Sequence, residues 1–158
     1  MAISGRLYRV TFKTSVSNVQ DLIGIYAGAN KIVAVHGLTL ESTGSTSVQN
    51  LPVSFVRLPA TVTGGSGGSA GSVKPVNPVD ASATVTARLN DTTQATTSGT
   101  ADVIDRRGWN TLNGLFFLPP IPGRPVIIDR NEAFILSLDT GPSSALLVSG
   151  KIELEEFL

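Results

Sequence analysis

Cysteine is absent from the 158-residue chain, which removes disulfides, thiolate nucleophiles and Cys-based zinc sites together. Histidine occurs once, at His36, so neither a metal site built from several imidazoles nor a Ser-His-Asp triad is readily assembled. Its neighbours along the chain are apolar, and a hydrogen-bonded core or interface histidine is the simpler reading. Charge is scarce as well: Asp, Glu, Lys and Arg make up 15% of the residues, where about a quarter is usual. Twelve basic residues balance twelve acidic ones, so no net field favours nucleic acid or an acidic membrane surface. No stretch approaches the roughly 20 apolar residues of a membrane helix. The opening MAISGRLYRVTFKTSV alternates polar with apolar and lacks the apolar run of a signal peptide. Nucleic acid, membrane, cofactor and small-molecule substrate are therefore not expected as partners. A surface rich in Ser and Thr fits a protein partly covered by neighbours and fits a hydroxyl-rich monomer equally.

What is present is a series of short β patterns. At 158 residues the chain suits one domain over 1–158, able to bury about two-thirds of its unfolded surface. Arg6, Tyr8, Val10 and Phe12 alternate with Leu7, Arg9 and Thr11, a half-buried strand with the first set inward. Residues 31–41, KIVAVHGLTLE, alternate over a longer span and predict a central strand. Further strands are expected at 19–27, 53–58, 83–89, 115–118, 125–128, 133–138 and 146–154, with Gly, Pro, Asn or Asp between most of them. No window carries an i, i+3, i+4, i+7 apolar repeat, although a helical turn near 18–22 fits the residues. The pattern predicts an all-β, antiparallel, jelly-roll-like β-sandwich, and an immunoglobulin-like sandwich fits it too.

A long loop at about 61–82, TVTGGSGGSAGSVKPVNPVDAS, interrupts these strands. Loops beyond about 12–15 residues mark a functional surface or a linker. Its glycines carry no side chain to pack and Pro75 and Pro78 remove backbone donors, so the expectation is an outward-reaching insertion, mobile in its first half and extended in its second. Its glycines mimic a phosphate loop without the Lys-Ser/Thr ending. Elsewhere, Asp102, Asp105, Asp129 and Glu132 sit beside Arg106, Arg107 and Arg130, which reads as local ion pairing rather than catalysis. The block DRRGWNTLNGLFFLPPIP at 105–122 holds the only tryptophan, Trp109, and the run Leu115, Phe116, Phe117, Leu118. Four consecutive large apolar residues cannot all face one side of a strand, so core packing and a subunit interface both remain open.

The run VHGLTLESTG at 35–44, the Gly/Ser arm with its Pro-x-x-Pro-x-Asp segment, the Asn-x-Thr turn at 90–92 and the closing LLVSGKIELEEF resemble small virion structural proteins of tailed phages and prophages. The resemblance implies a jelly-roll capsid cement or decoration protein, not an enzyme. It implies a homotrimer that bridges major capsid protein subunits on the capsid exterior after assembly in the host cytoplasm. The partner-contact candidates are Lys74, Pro75, Val76, Asn77 and Pro78 in the arm, together with Arg106, Arg107, Trp109, Phe116 and Phe117. The chain segments 2–9 and 153–158, with Arg6 and Arg9 against Glu153, Glu155 and Glu156, suit pairing within a sheet or between subunits. The alternative is a carbohydrate- or receptor-binding jelly-roll module.

Overall fold

The computed structural model describes residues 5–43, 47–119 and 124–157, and they form two antiparallel sheets packed face to face. The first sheet has the order β11 (Leu115–Phe117), β3 (Ile32–Thr43), β14 (Leu146–Phe157), β1 (Arg6–Val16), β7 (Lys74–Pro75), with β12 (Val126–Ile128) also on β3. The second runs β10 (Asp102–Asn110), β4 (Asn50–Leu58), β13 (Ala133–Leu138), β2 (Gln20–Tyr26), β8 (Thr86–Asp91), β6 (Ser69–Gly71). A third, two-stranded sheet joins β5 (Val62–Thr63) to β9 (Thr96–Thr97). Among the described residues there is no helix, and the helical turn expected near 18–22 is absent. From Gln20 onward that segment is strand β2, which has β13 on one side and β8 on the other. Hydrogen bonding on both edges overrides a weak local preference.

Alternation fixes what each strand buries. Tyr8, Val10 and Phe12 are buried while Leu7, Arg9 and Thr11 are exposed, as the sequence pattern predicts, whereas Arg6, on the inward side by spacing, is exposed at the start of the strand. In β3 the alternation breaks at its middle. Val33 and Val35 face the core, then Leu38 and Leu40 do. The pairing of β3 with β14 slips between Gly37 and Val35, which leaves His36 as the extra residue of a β-bulge. The bulge re-aims the strand and turns His36 to the outer surface. The central position expected for this strand is observed.

The core lies between the sheets. Phe55 of β4 stacks on Phe117 of β11 at 4.2 Å and 16°, and Phe134 of β13 lies 6.5 Å from the first ring and 6.0 Å from the second. This triplet ties the two layers across the interior, each ring adding about 1.5–3 kcal/mol of burial. Trp109 is 1% exposed and its Nε1 donates to the Asn113 carbonyl at 3.0 Å. The strand β10 that carries it was not expected, because its charged residues hide the apolar alternation.

The stretch between β4 and β10 is one insertion, and the 61–82 loop within it does not reach outward. β6 pairs with β8, β7 pairs with β1, and Ser66 bridges to Thr93. The glycines have a different use from the one expected. A Cβ on Gly68 would lie 2.1 Å from the Leu89 carbonyl oxygen, and one on Gly65 would lie 2.7 Å from the Thr93 carbonyl oxygen. Gly67 has φ +87°, a conformation L side chains rarely adopt. The glycines allow backbone to lie against backbone, which is close packing rather than mobility.

Candidate interaction surface

The two sheets present outer faces of opposite character. On the second sheet, the insertion closes over the strands: Val62 and Ala95 pack on Leu58, Ala133 and Ile135. Beneath this cover lie two carboxylates, Asp21 of β2 and Asp91 of β8, paired directly across the ladder and both buried. Asp91 takes two guanidinium hydrogen bonds from Arg88, at 2.7 and 2.6 Å, and the backbone N–H of Gly68 at 3.1 Å. Asp21 accepts the Ala95 N–H at 2.7 Å and a longer contact from Gln94. Burial pushes its carboxyl above the ordinary value, against hydrogen bonds from Ala95, Ser137 and Gln94, and the neighbouring Asp91 adds to the rise. These acids converge, yet they are sealed under the insertion and spend their lone pairs on holding it. Sequence reasoning missed both, since each stands alone in a strand and only the β2–β8 register joins them.

Among the described residues no further layer covers the outer face of the first sheet, although Ala34 in its middle is buried. Its register sets Ile127, Ala34, Glu155 and Leu7 in one row across β12, β3, β14 and β1. Apolar side chains stand out of this face: Leu118 is 68% exposed, Phe116 61% and Leu7 47%. His36 sits among them, its Nε2 2.9 Å from Glu155 Oε2, while Glu155 Oε1 accepts the Gly5 N–H at 2.9 Å. Lys151 and Glu153 pair at 2.7 Å nearby. Apolar patches rimmed by polar groups mark interaction sites. Leu7 was legible as an apolar residue on the polar side of an alternating strand.

The sequence-predicted contact residues fall into two groups. Lys74 stands opposite Arg9 and Pro75 opposite Tyr8 at one edge of the first sheet. Proline suits an edge strand, because its missing donor leaves no ladder bond unmade. Val76 donates to the Leu7 carbonyl at 2.9 Å, and Asn77 accepts the Asp80 N–H at 3.0 Å in a turn that leaves Pro78 exposed. The second group gathers where β10 and β11 approach. Arg107 donates to the Phe116 carbonyl at 2.9 Å, pairs with Asp105 at 2.6 Å and lies 5.9 Å over the Phe117 ring. Arg106 is exposed and donates to Ser54 at 3.2 Å. Phe116 faces outward, whereas Trp109 and Phe117 are spent on the core of this chain. The terminal segments pair within the sheet, with Arg6 opposite Glu156 and Arg9 opposite Glu153; residues 2–4 and 158 lie outside the described ones. Of the acids read as ion pairs, Asp102 binds Arg57 at 2.8 Å, whereas Glu132 accepts the Asp129 N–H at 2.9 Å.

No protein-family model matches the chain, and neither does any curated protein or solved structure.

Proposed function

We propose that this protein is a non-enzymatic structural component of a tailed-phage virion, a capsid decoration protein. It associates as a homotrimer and bridges major capsid protein subunits on the outside of the shell. The observation that carries the reading is the contrast between an outer face partly covered by the chain's own insertion and one that displays Leu7, Phe116 and Leu118. A face with several large apolar side chains in water gains free energy when a neighbour covers it, at about 25 cal/mol per Å² of apolar surface removed. The sequence resemblance to phage structural proteins supplies the kind of neighbour. Repeated sites on a shell then sum modest contacts into firm attachment.

The finer fold belongs to the same proposal. β1, β14, β3 and the β11/β12 pair are neighbours in one sheet, and β2, β13, β4 and β10 in the other. That order supports a jelly roll, in which strands alternate between layers on either side of the β4–β10 pair. The insertion then adds β7 beside β1 and β8 with β6 beside β2.

The test is co-sedimentation of the purified protein with shells of the corresponding major capsid protein, alongside its mass in solution by light scattering. A trimer that sediments with shells, and loses attachment in Phe116→Asp/Leu118→Asp without loss of folding, is the expected outcome. A monomer that ignores the shells, or a double variant that attaches as firmly as the parent, overturns the proposal.

A further inference from the structure

A groove of about 620 Å³ opens on the second sheet's side, between the chain at 60–62 and the turn at 130–132, with Tyr26 and Ala27 at its base. Its size falls within the range of small-ligand sites, about 300–1,000 Å³. Both walls are held from behind. Thr97 Oγ1 bonds the Pro59 carbonyl, the Ser98 N–H donates to Thr61 at 3.0 Å, and the Thr61 N–H donates to Ser98 Oγ at 3.3 Å. Across the groove, the Glu132 N–H donates to Asp129 at 3.1 Å, the Asp129 N–H donates to Glu132 Oε2 at 2.9 Å, and the Glu132 carbonyl accepts from Ala27 at 3.0 Å. Each wall carries one residue in the left-handed region, Ala60 at φ +64° and Asn131 at φ +63°. Asparagine tolerates that region, but alanine is strained there. Backbone strain of this kind persists where the surroundings impose it, and it gathers at ligand clamps.

Each wall spends its backbone groups on its own turn and on the segment behind it, and leaves side-chain groups at the rim without a partner among the described residues. The Arg130 guanidinium and the Asn131 carboxamide make no hydrogen bond to another described residue, and Glu132 keeps one carboxylate oxygen free. Thr61 adds a hydroxyl at the rim. An anion entering here would meet Glu132, a cation would meet Arg130, and an apolar ligand would leave both unpaired. A hydroxyl donates and accepts at once, so a polyhydroxylated neutral molecule matches donors and acceptors set side by side. The Tyr26 ring, Ala60 and Val62 offer apolar surface to the C–H face of a sugar ring.

We infer that this groove is a binding site for neutral sugars, with Arg130, Asn131 and Glu132 reading hydroxyl groups above Tyr26 at its base. The site is independent of how the open face of the first sheet is used.

The test is an NMR titration of the isotope-labelled full chain with triacetylchitotriose, with maltotriose and, as the anionic arm, with inorganic phosphate. Saturable shifts at the amides of residues 60–62 and 130–132 with at least one trisaccharide are expected. Binding should weaken about tenfold or more in Arg130→Ala/Asn131→Gly, where glycine keeps the left-handed turn and removes only the carboxamide. The spectrum of that variant away from the groove reports that the fold is kept. The inference is overturned if neither sugar gives a saturable response, if phosphate alone does, or if the double variant binds as the parent does.

Discussion

The two outer faces of the sandwich are built from similar strands and treated in opposite ways. The second sheet is roofed by its own chain, and the roof stays on through backbone proximity at glycines and through hydrogen bonds to two buried acids. Among the described residues the first sheet has no such cover over Leu7, Phe116 and Leu118, whose side chains stand in solvent near His36 and Glu155. A chain that covers part of one face with its own insertion and leaves described apolar side chains exposed on the other has divided its surface into a part concerned with folding and a part available to partners.

Matched glycine substitutions break this comparison most sharply. Gly68→Ala on the roofed face puts a methyl into the Leu89 carbonyl, 2.1 Å away, with backbone that cannot yield. We expect a loss of about 3 kcal/mol, seen as a fall in melting temperature of about 10 °C. Gly37→Ala on the open face meets only ordinary contacts at 3.4 and 3.6 Å, and its stability should stay within about 0.5 kcal/mol of the parent. Equal losses at both positions would erase the distinction between the faces.

Asp91→Ala comes next. It strips the Gly68 N–H and the Arg88 guanidinium of their acceptor beneath the roof, and urea denaturation should show a loss of about 2 kcal/mol. No change would mean that the roof is held by packing alone.

Asp21 gives a smaller effect with a diagnostic pH dependence. Its folded pKa lies above the ordinary value of 3.8, so the folded state holds a proton that the unfolded state has released between the two values. The favourable contribution of this group is complete below 3.8 and is lost as pH rises through the folded pKa. Asp21→Asn keeps an acceptor for the Ala95 N–H and removes the charge. Relative to the parent it should be more stable at neutral pH and little changed at acid pH. A difference that does not vary with pH would sink the assignment. Smallest of all is the effect on stability of Phe116→Asp/Leu118→Asp, within about 0.5 kcal/mol, although the same change should abolish association.

The body strands were legible because alternation survives in them: Tyr8, Val10 and Phe12 read correctly from spacing alone. The flip of β3 was not, since a bulge at His36 leaves no mark in the residues around it. β10 escaped notice because its edge position lets it carry Asp102, Asp105, Arg106 and Arg107, and charge at an edge looks like a loop. The Gly-rich stretch was misread for a deeper reason. Glycine serves freedom and close approach equally, and the backbone it approaches, residues 89–93, lies more than twenty positions away. Phe116 and Phe117 show the limit at a single step: the run of apolar residues demanded two destinations, and only the fold assigns one outward and the other to the Phe55 stack.

In both sheets the middle is occupied by strands from late in the chain, β14 between β3 and β1 and β13 between β4 and β2. During synthesis, the first four strands therefore leave the ribosome with their central neighbours still unmade. Their apolar inner faces wait for residues 133–157, and neither sheet can close from one end. Topologies of this kind fold in milliseconds to seconds rather than microseconds. The completed sandwich is keyed shut by its last two strands, so a ribosome that stalls before β13 releases unjoined edges, a substrate for chaperones and for aggregation.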